Sequence, residues 1–320
     1  MIKTHAAAGS WQSRLRVEDI TSGFSGYSHT IYGCGDWLIW SESRPQEKGR
    51  SQILARNTQG RCFECLPLPM SATTKAHEYG GGAWCVDNNS TTVPIIYFVN
   101  DGDGGLYRVV PGEKPRLLWQ KSKCWLADLH ATDGVVFAVC EDHGAPGEPK
   151  ASVRKIAEGN CTTLLEGDDF YGSLAISDDG TRMACISWMH PAMPWDSTKL
   201  HLLVSSHHQV IAHPQPCAMQ QPGFTRDGSL ICIADLDGWW QFCRCEDGLL
   251  HPLLDSTQTQ GREAGLPLWQ FGMRSYDYDR NGSLLVAHNC GDRSVLSRIN
   301  PQNGSMQDLN LPFTNFSGLR

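Results

Sequence analysis

The sequence of 320 residues lacks any apolar run near the roughly 20 residues needed for a membrane-crossing helix. Its opening, MIKTHAAAGSWQSRLR, has no apolar stretch of the kind a secretion signal carries. An excess of positive charge is also missing, since 27 Lys and Arg stand against 34 Asp and Glu for a net −7. No basic surface is left in bulk for phosphates or anionic lipid, which argues against nucleic-acid and membrane partners. Helical periodicity is nearly absent. Apolar stretches run four to eight residues, alternate or are rich in β-branched and aromatic residues, and stop at Gly, Asp, Asn or Pro. That is the pattern of an all-β chain.

Paired metal ligands at matching short spacings are lacking too. Cys62/Cys65 and Cys243/Cys245 are the two close pairs, and neither has a second Cys or His pair to complete the four ligands zinc needs. No metal and no cofactor is assigned. The 13 cysteines are odd in number and mostly sit in strand-like runs such as ACISW, ICIADL and VFAVC. They read as reduced core thiols of a cytoplasmic protein.

What is present is a repeat. A turn dipeptide followed by an alternating strand recurs as SDDGTRMACISW from Ser177, TRDGSLICIADL from Thr225 and DRNGSLLVAHNC from Asp279. A weaker copy, ATDGVVFAVCED, starts at Ala131, with looser ones from Gly33 and Asn88. Asp-Gly and Asn-Gly favour a type I′ hairpin turn, which needs positive φ at both central residues. The markers Gly134, Gly180, Gly228 and Gly282 are 46, 48 and 54 residues apart, enough for the four strands of one β-propeller blade. LYRVVPGEKPRLLW (Leu106 to Trp119) and SVLSRINPQNGSMQDLNL (Ser294 to Leu311) read as the outer hairpins of blades. The whole chain is then one propeller domain of four-stranded blades: a lead-in over 1–32, about six blades over 33–312, and over 313–320 the first strand of a seventh blade left unfinished.

Several segments stand out as candidate functional surfaces. In AHEYGGGAW (Ala76 to Trp84) three glycines in a row suit a close backbone approach on an inner strand. That placement puts His77, Glu78 and Tyr79 at the central channel, either as ligand-facing groups or as polar residues bonded to neighbouring blades. In SWMHPAMPWD, Pro191 and Pro194 prevent regular pairing, so a long ordered loop is anchored by Trp188 and Trp195 and carries His190 and Asp196. LDGWWQF presents Trp239 and Trp240, and EAGLPLWQFGM brackets further aromatics with glycine. No segment holds a nucleophile, base and orienter at defined spacing, and no catalytic residue is assigned.

ESRPQEKGR, HEYGGGAW, GDDFYGSLAISDDGTRMACISWMHPAMPWD, DLDGWWQF and GLPLWQFGM, in their order along the chain, resemble the N-terminal propeller of the prolyl oligopeptidase family of serine peptidases, in its acylaminoacyl-peptidase or dipeptidyl-peptidase-like branch. The match runs from about Gly33 to Arg320. The resemblance implies a propeller that caps an α/β-hydrolase domain holding Ser, Asp and His and admits short peptides to it. No G-x-S-x-G nucleophile elbow occurs here; Gly26-Tyr27-Ser28-His29-Thr30 lacks the final glycine. The expected function is therefore the non-catalytic propeller portion of such a peptidase, with a peptide substrate or a serine-hydrolase domain as partner. A free-standing binding propeller and a metal-dependent propeller lactonase are the alternatives. An unfinished ring leaves the first blade near Trp37–Ser41 and the sixth near Leu284–His288 without a neighbour on one face, which predicts self-association.

Overall fold

The computed structural model describes residues 5–11, 13, 15–21, 26–211, 213 and 216–319. The strands form six four-stranded antiparallel sheets, each a meander in sequence order. Blade 1 holds β1–β4 (Tyr27–Glu64), blade 2 β5–β8 (Trp84–Trp119) and blade 3 β9–β12 (Cys124–Glu166). Blade 4 holds β13–β16 (Phe170–Ile211), blade 5 β17–β20 (Met219–Pro252) and blade 6 β21–β24 (Tyr276–Asp308). The first strand of each blade is innermost, and those of blades 2 to 5 touch one another around the ring. The fold is the β-propeller expected from the repeat.

The repeat spacing has a physical basis in how one blade grips the next. The middle strand β10 (Val135–Asp142) sends Val136, Ala138 and Cys140 into the core shared with blade 2, and Phe137 and Val139 into the core shared with blade 4. The same division operates in β14 (Arg182–Trp188) and β18 (Leu230–Asp235). Burial on both faces is why these strands read as continuous apolar runs with cysteines among them. Nine of the cysteines, including Cys140, Cys185 and Cys232, are buried, while Cys62 is exposed.

The Asp-Gly turns join the first and second strands of blades. Asp133 (φ 49°) and Gly134 (φ 79°) form the expected type I′ turn. The other three differ. Gly180, Gly228 and Gly282 donate their amides to the carbonyls of Ser177, Thr225 and Asp279, and only the glycine has positive φ. That is a type I turn closed by a left-handed glycine, the geometry of a four-residue connection. Its acid side chain holds it: Asp179 Oδ1 accepts from the Thr181 amide at 3.0 Å, and Asp227 Oδ1 from Ser229 at 3.1 Å.

Three boundaries differ from those expected. Blade 1 begins at Tyr27, because Gly33 lies within its innermost strand, which runs to Cys34, and the Gly35–Asp36 turn follows that strand. Residues 77–79 lie in a turn ahead of β5 (Trp84–Val86) and not on a strand. The described part of 313–320 forms no new innermost strand. It runs on along β23 (Arg293–Ile299), with the Ser294 amide bonded to the Thr314 carbonyl and the Phe316 amide to Ser294 Oγ.

Candidate functional site

The site lies on the axis of the ring, on the face where each blade hands over to the next. Two connecting segments meet there: 76–83, which leads into blade 2, and 268–274, which leads into blade 6. Their backbones pair directly, with a parallel bridge between Gly81 and Phe271 and the Phe271 amide donating to the Gly80 carbonyl at 2.9 Å. The GGG motif makes this approach possible. A Cβ on Gly81 would fall 2.3 Å from the Phe271 carbonyl oxygen, and one on Gly82 2.7 Å from Asp128 Cα; both glycines have positive φ.

His77 hangs from this crossing with φ 52°. Its ring lies 4.4 Å from Phe271 and meets Phe170 and Trp188 edge-on at 5.2 and 5.6 Å. Its amide donates to Glu141 Oε1 at 2.9 Å, while its Nε2 is buried without a hydrogen-bond partner among the described residues and lies 3.7 Å from the same carboxylate oxygen. Burial pushes the imidazole pKa down to about 4, so it is neutral at physiological pH. Glu141 is 6% exposed, and burial raises its carboxyl above the ordinary range against the pull of the His77 amide and His143. His143 reaches Glu141 Oε2 at 3.3 Å and packs on Trp125 at 3.9 Å.

The innermost strands below the crossing carry matching bulges. Asp128, Ser173 and Gln221, in blades 3, 4 and 5, all have φ near 50° where the strand register shifts. The bulges at Asp128 and Gln221 turn those side chains toward the next blade. Asp128 Oδ2 accepts from the Leu174 amide at 2.7 Å, and Gln221 Oε1 from the Ser275 amide at 2.8 Å.

Of the residues singled out in the sequence, His77, Trp188 and His190 are brought together; the His190 ring lies 4.8 Å from Phe170, and its amide bonds Asp169 Oδ2 at 2.9 Å. Tyr79 points outward, 58% exposed, and starts an aromatic ridge through Trp269 to Trp195 with ring separations of 5.5 and 4.7 Å. Asp196 closes the loop on itself, accepting from the Met193 amide at 2.8 Å. Glu78 is exposed, and its charge contributes to the raised pKa of Glu141. Trp239 and Trp240 stand apart at the head of β19 (Trp240–Glu246), where Trp240 packs over Gly265. Glu141, Phe170 and Arg274 were not singled out; Glu141 ends an ordinary middle strand and carries no local signal, whereas Phe271 sits in the GLPLWQFGM motif.

One serine has the company of a nucleophile without the arrangement. Ser187 Oγ lies 2.7 Å from His201 Nε2 and 2.5 Å from Asp168 Oδ2. Yet Ser187 is fully buried, the carboxylate bonds the serine instead of orienting the imidazole, and His201 Nδ1 faces His208 Nε2 at 3.0 Å. A triad needs the acid on the far nitrogen and an exposed hydroxyl. No cluster of three or more His, Cys, Asp or Glu suited to a metal ion occurs among the described residues. No described helix is long and apolar enough to cross a membrane.

No protein-family profile matches the chain, and no curated protein matches it in sequence. Solved structures do. A puromycin hydrolase superposes with a TM-score of 0.83 at 24% identity, covering 97% of this chain and 50% of its own. A Mycobacterium tuberculosis puromycin-hydrolyzing peptidase gives 0.82 at 27% identity, covering 96% and 50%. A structure from a study of two prolyl endopeptidases gives 0.55 at 12% identity, covering 91% and 42%. The chain spans about half the length of the two puromycin-hydrolysing proteins. It is a β-propeller similar, over almost all of its length, to the propeller domain of prolyl-oligopeptidase-family peptidases, in agreement with the motifs that carry the resemblance.

Proposed function

We propose that these residues form the non-catalytic propeller portion of a prolyl-oligopeptidase-like serine peptidase, restricting which peptides reach an active site built by other residues. The observation that carries this reading is the similarity, at 27% identity and over 96% of the chain, to one half of a puromycin-hydrolyzing peptidase. The site geometry supports it in two ways. The Gly81–Phe271 crossing narrows the channel on the face that holds the ridge of Tyr79, Trp269 and Trp195, so a folded protein is turned away there. The ridge itself, with half-exposed Met189 and Met193 beside it, is an apolar surface suited to a hydrolase domain. The neutral His77, packed on Phe170, Trp188 and Phe271, and the buried Glu141 behind it shape a wall of the channel.

Fluorophosphonate labelling tests this. The purified 320-residue chain should take up no label and release no chromophore from aminoacyl or dipeptidyl anilides. An antibody to the propeller should precipitate, from its native cells, a fluorophosphonate-reactive polypeptide either continuous with the chain or bound to it. Labelling of one serine in the purified chain, or a precipitate devoid of reactive hydrolase, overturns the proposal.

A further inference from the structure

The channel opens below the crossing into a chamber of about 620 Å³, within the size range of small-molecule sites, bounded by the Asp-Gly turns at its far end. Arg274 stands where this chamber meets the channel mouth and a third cavity between blades 6 and 1, and it lines all three. Its guanidinium packs over the Tyr276 ring at 5.2 Å and makes no ion pair among the described residues. Tyr278 lines the same chamber, and its hydroxyl is buried with no hydrogen-bond partner among the described residues.

Four of the other charges of the chamber are engaged. Arg182 and Arg226 bond to the carbonyls of Gly228 and Arg280 in the next blade. Asp279 pairs with Arg298 at 3.0 Å, and Asp179 is held by Ser177 and Thr181. Asp178 is exposed at the rim, and the field of Asp277 reaches Arg274 without an ion pair. Arg274 is thus a half-buried cation without an ion pair that also meets the Tyr276 hydroxyl, and a planar carboxylate matches its fork with two parallel hydrogen bonds through the donors that remain.

We infer that the channel chamber binds a carboxylate-bearing ligand, held by Arg274 and completed by the Tyr278 hydroxyl, and that the ligand is a short peptide engaged through its free C-terminal carboxylate. The choice of a peptide rests on the function proposed above; the carboxylate chemistry rests on Arg274 and Tyr278 alone.

Calorimetric titration of the full chain at low salt, with trialanine as the free acid and as its C-terminal amide, is the test. The acid should bind at least tenfold more tightly than the amide, and Arg274→Gln should remove that difference while far-UV circular dichroism stays unchanged. Should Arg274→Gln fail to fold, Tyr278→Phe serves instead and should weaken the acid severalfold without affecting the amide. Acetate competing with trialanine as well as an acetylated tripeptide acid supports the carboxylate site and removes the peptide assignment. Equal binding of acid and amide, or binding indifferent to both substitutions, overturns the inference. No hydrolase is involved, so failure here leaves the labelling experiment unaffected, and the reverse holds.

Discussion

At the scale of single residues, the polar groups that matter are those the fold buries without partners. His288, on β22 (Leu284–Cys290), is 3% exposed, and neither ring nitrogen has a hydrogen bond among the described residues. Burial pushes its pKa down to about 4, with Arg262 acting in the same sense and Asp308 against it. His77 is shifted to about 4 by the same cause. An unfolded histidine takes up its proton near pH 6.5, so between pH 6.5 and 4 the unfolded chain binds more protons than the folded one. Stability therefore falls as pH drops through that window and is fully recovered above it. At pH 5 each such group costs about 2 kcal/mol. His288→Leu, which leaves no charge to bury, should lessen the loss between pH 7 and pH 5 by about that amount in urea unfolding. An unchanged loss would show that His288 is hydrated or paired in solution.

At the scale of elements, each turn is held by the blade before it. Asp87, following β5 and 4% exposed, accepts from the Asp133 amide at 3.1 Å and from Gly134 at 2.9 Å, and also caps its own turn through Asn89. Thr132 Oγ1 reaches the Asp178 carbonyl at 3.1 Å, and Arg182 and Arg226 reach the turns after theirs. These links span 46 to 54 residues, so the sequence period is the distance from one blade's clasp to the next blade's turn. Asp87→Ala removes the acceptor of two amides in an exposed turn and should cost about 1–2 kcal/mol. Asp87→Asn keeps one acceptor and should cost less. Guanidinium unfolding of the two variants checks the order, and equal stability of both with the parent would remove the clasp from the account.

At the scale of the whole molecule, the ring is joined unevenly. Five apolar cores lie between blades 1–2, 2–3, 3–4, 4–5 and 5–6, and none among the described residues joins blade 6 to blade 1. A cavity of about 500 Å³ occupies that seam, lined by Trp84, Phe271, Met273, Ala287 and Phe316 among others. The outward face of blade 1 leaves Leu38 49% and Ile31 46% exposed. The ring is spanned there by the Gly81–Phe271 crossing, a backbone contact that buries little apolar surface. Light scattering after size exclusion should show concentration-dependent association of the isolated chain, with hydrogen exchange fastest in blades 1 and 6. A concentration-independent monomer with uniform protection would mean that the seam closes in solution.

Local signals were enough to fix the class of fold, the six complete blades and the outer hairpins, though not the seventh blade expected from 313–320: period-two patterning, glycine at positions of positive φ, and a repeat length set by four strands. The sequence also marked the GGG segment as a place of close backbone approach. It did not determine what that backbone approaches. Phe271 lies 190 residues from Gly81, and their pairing across the axis exists only once the blades have closed into a ring. For the same reason Glu141, an ordinary strand-end acid in the sequence, becomes the partner of the His77 amide, and residues 313–319, which read as one more strand, run along blade 6 instead. A β-strand states which of its faces is apolar; only the ring decides which neighbour that face meets and which polar groups are left facing the channel.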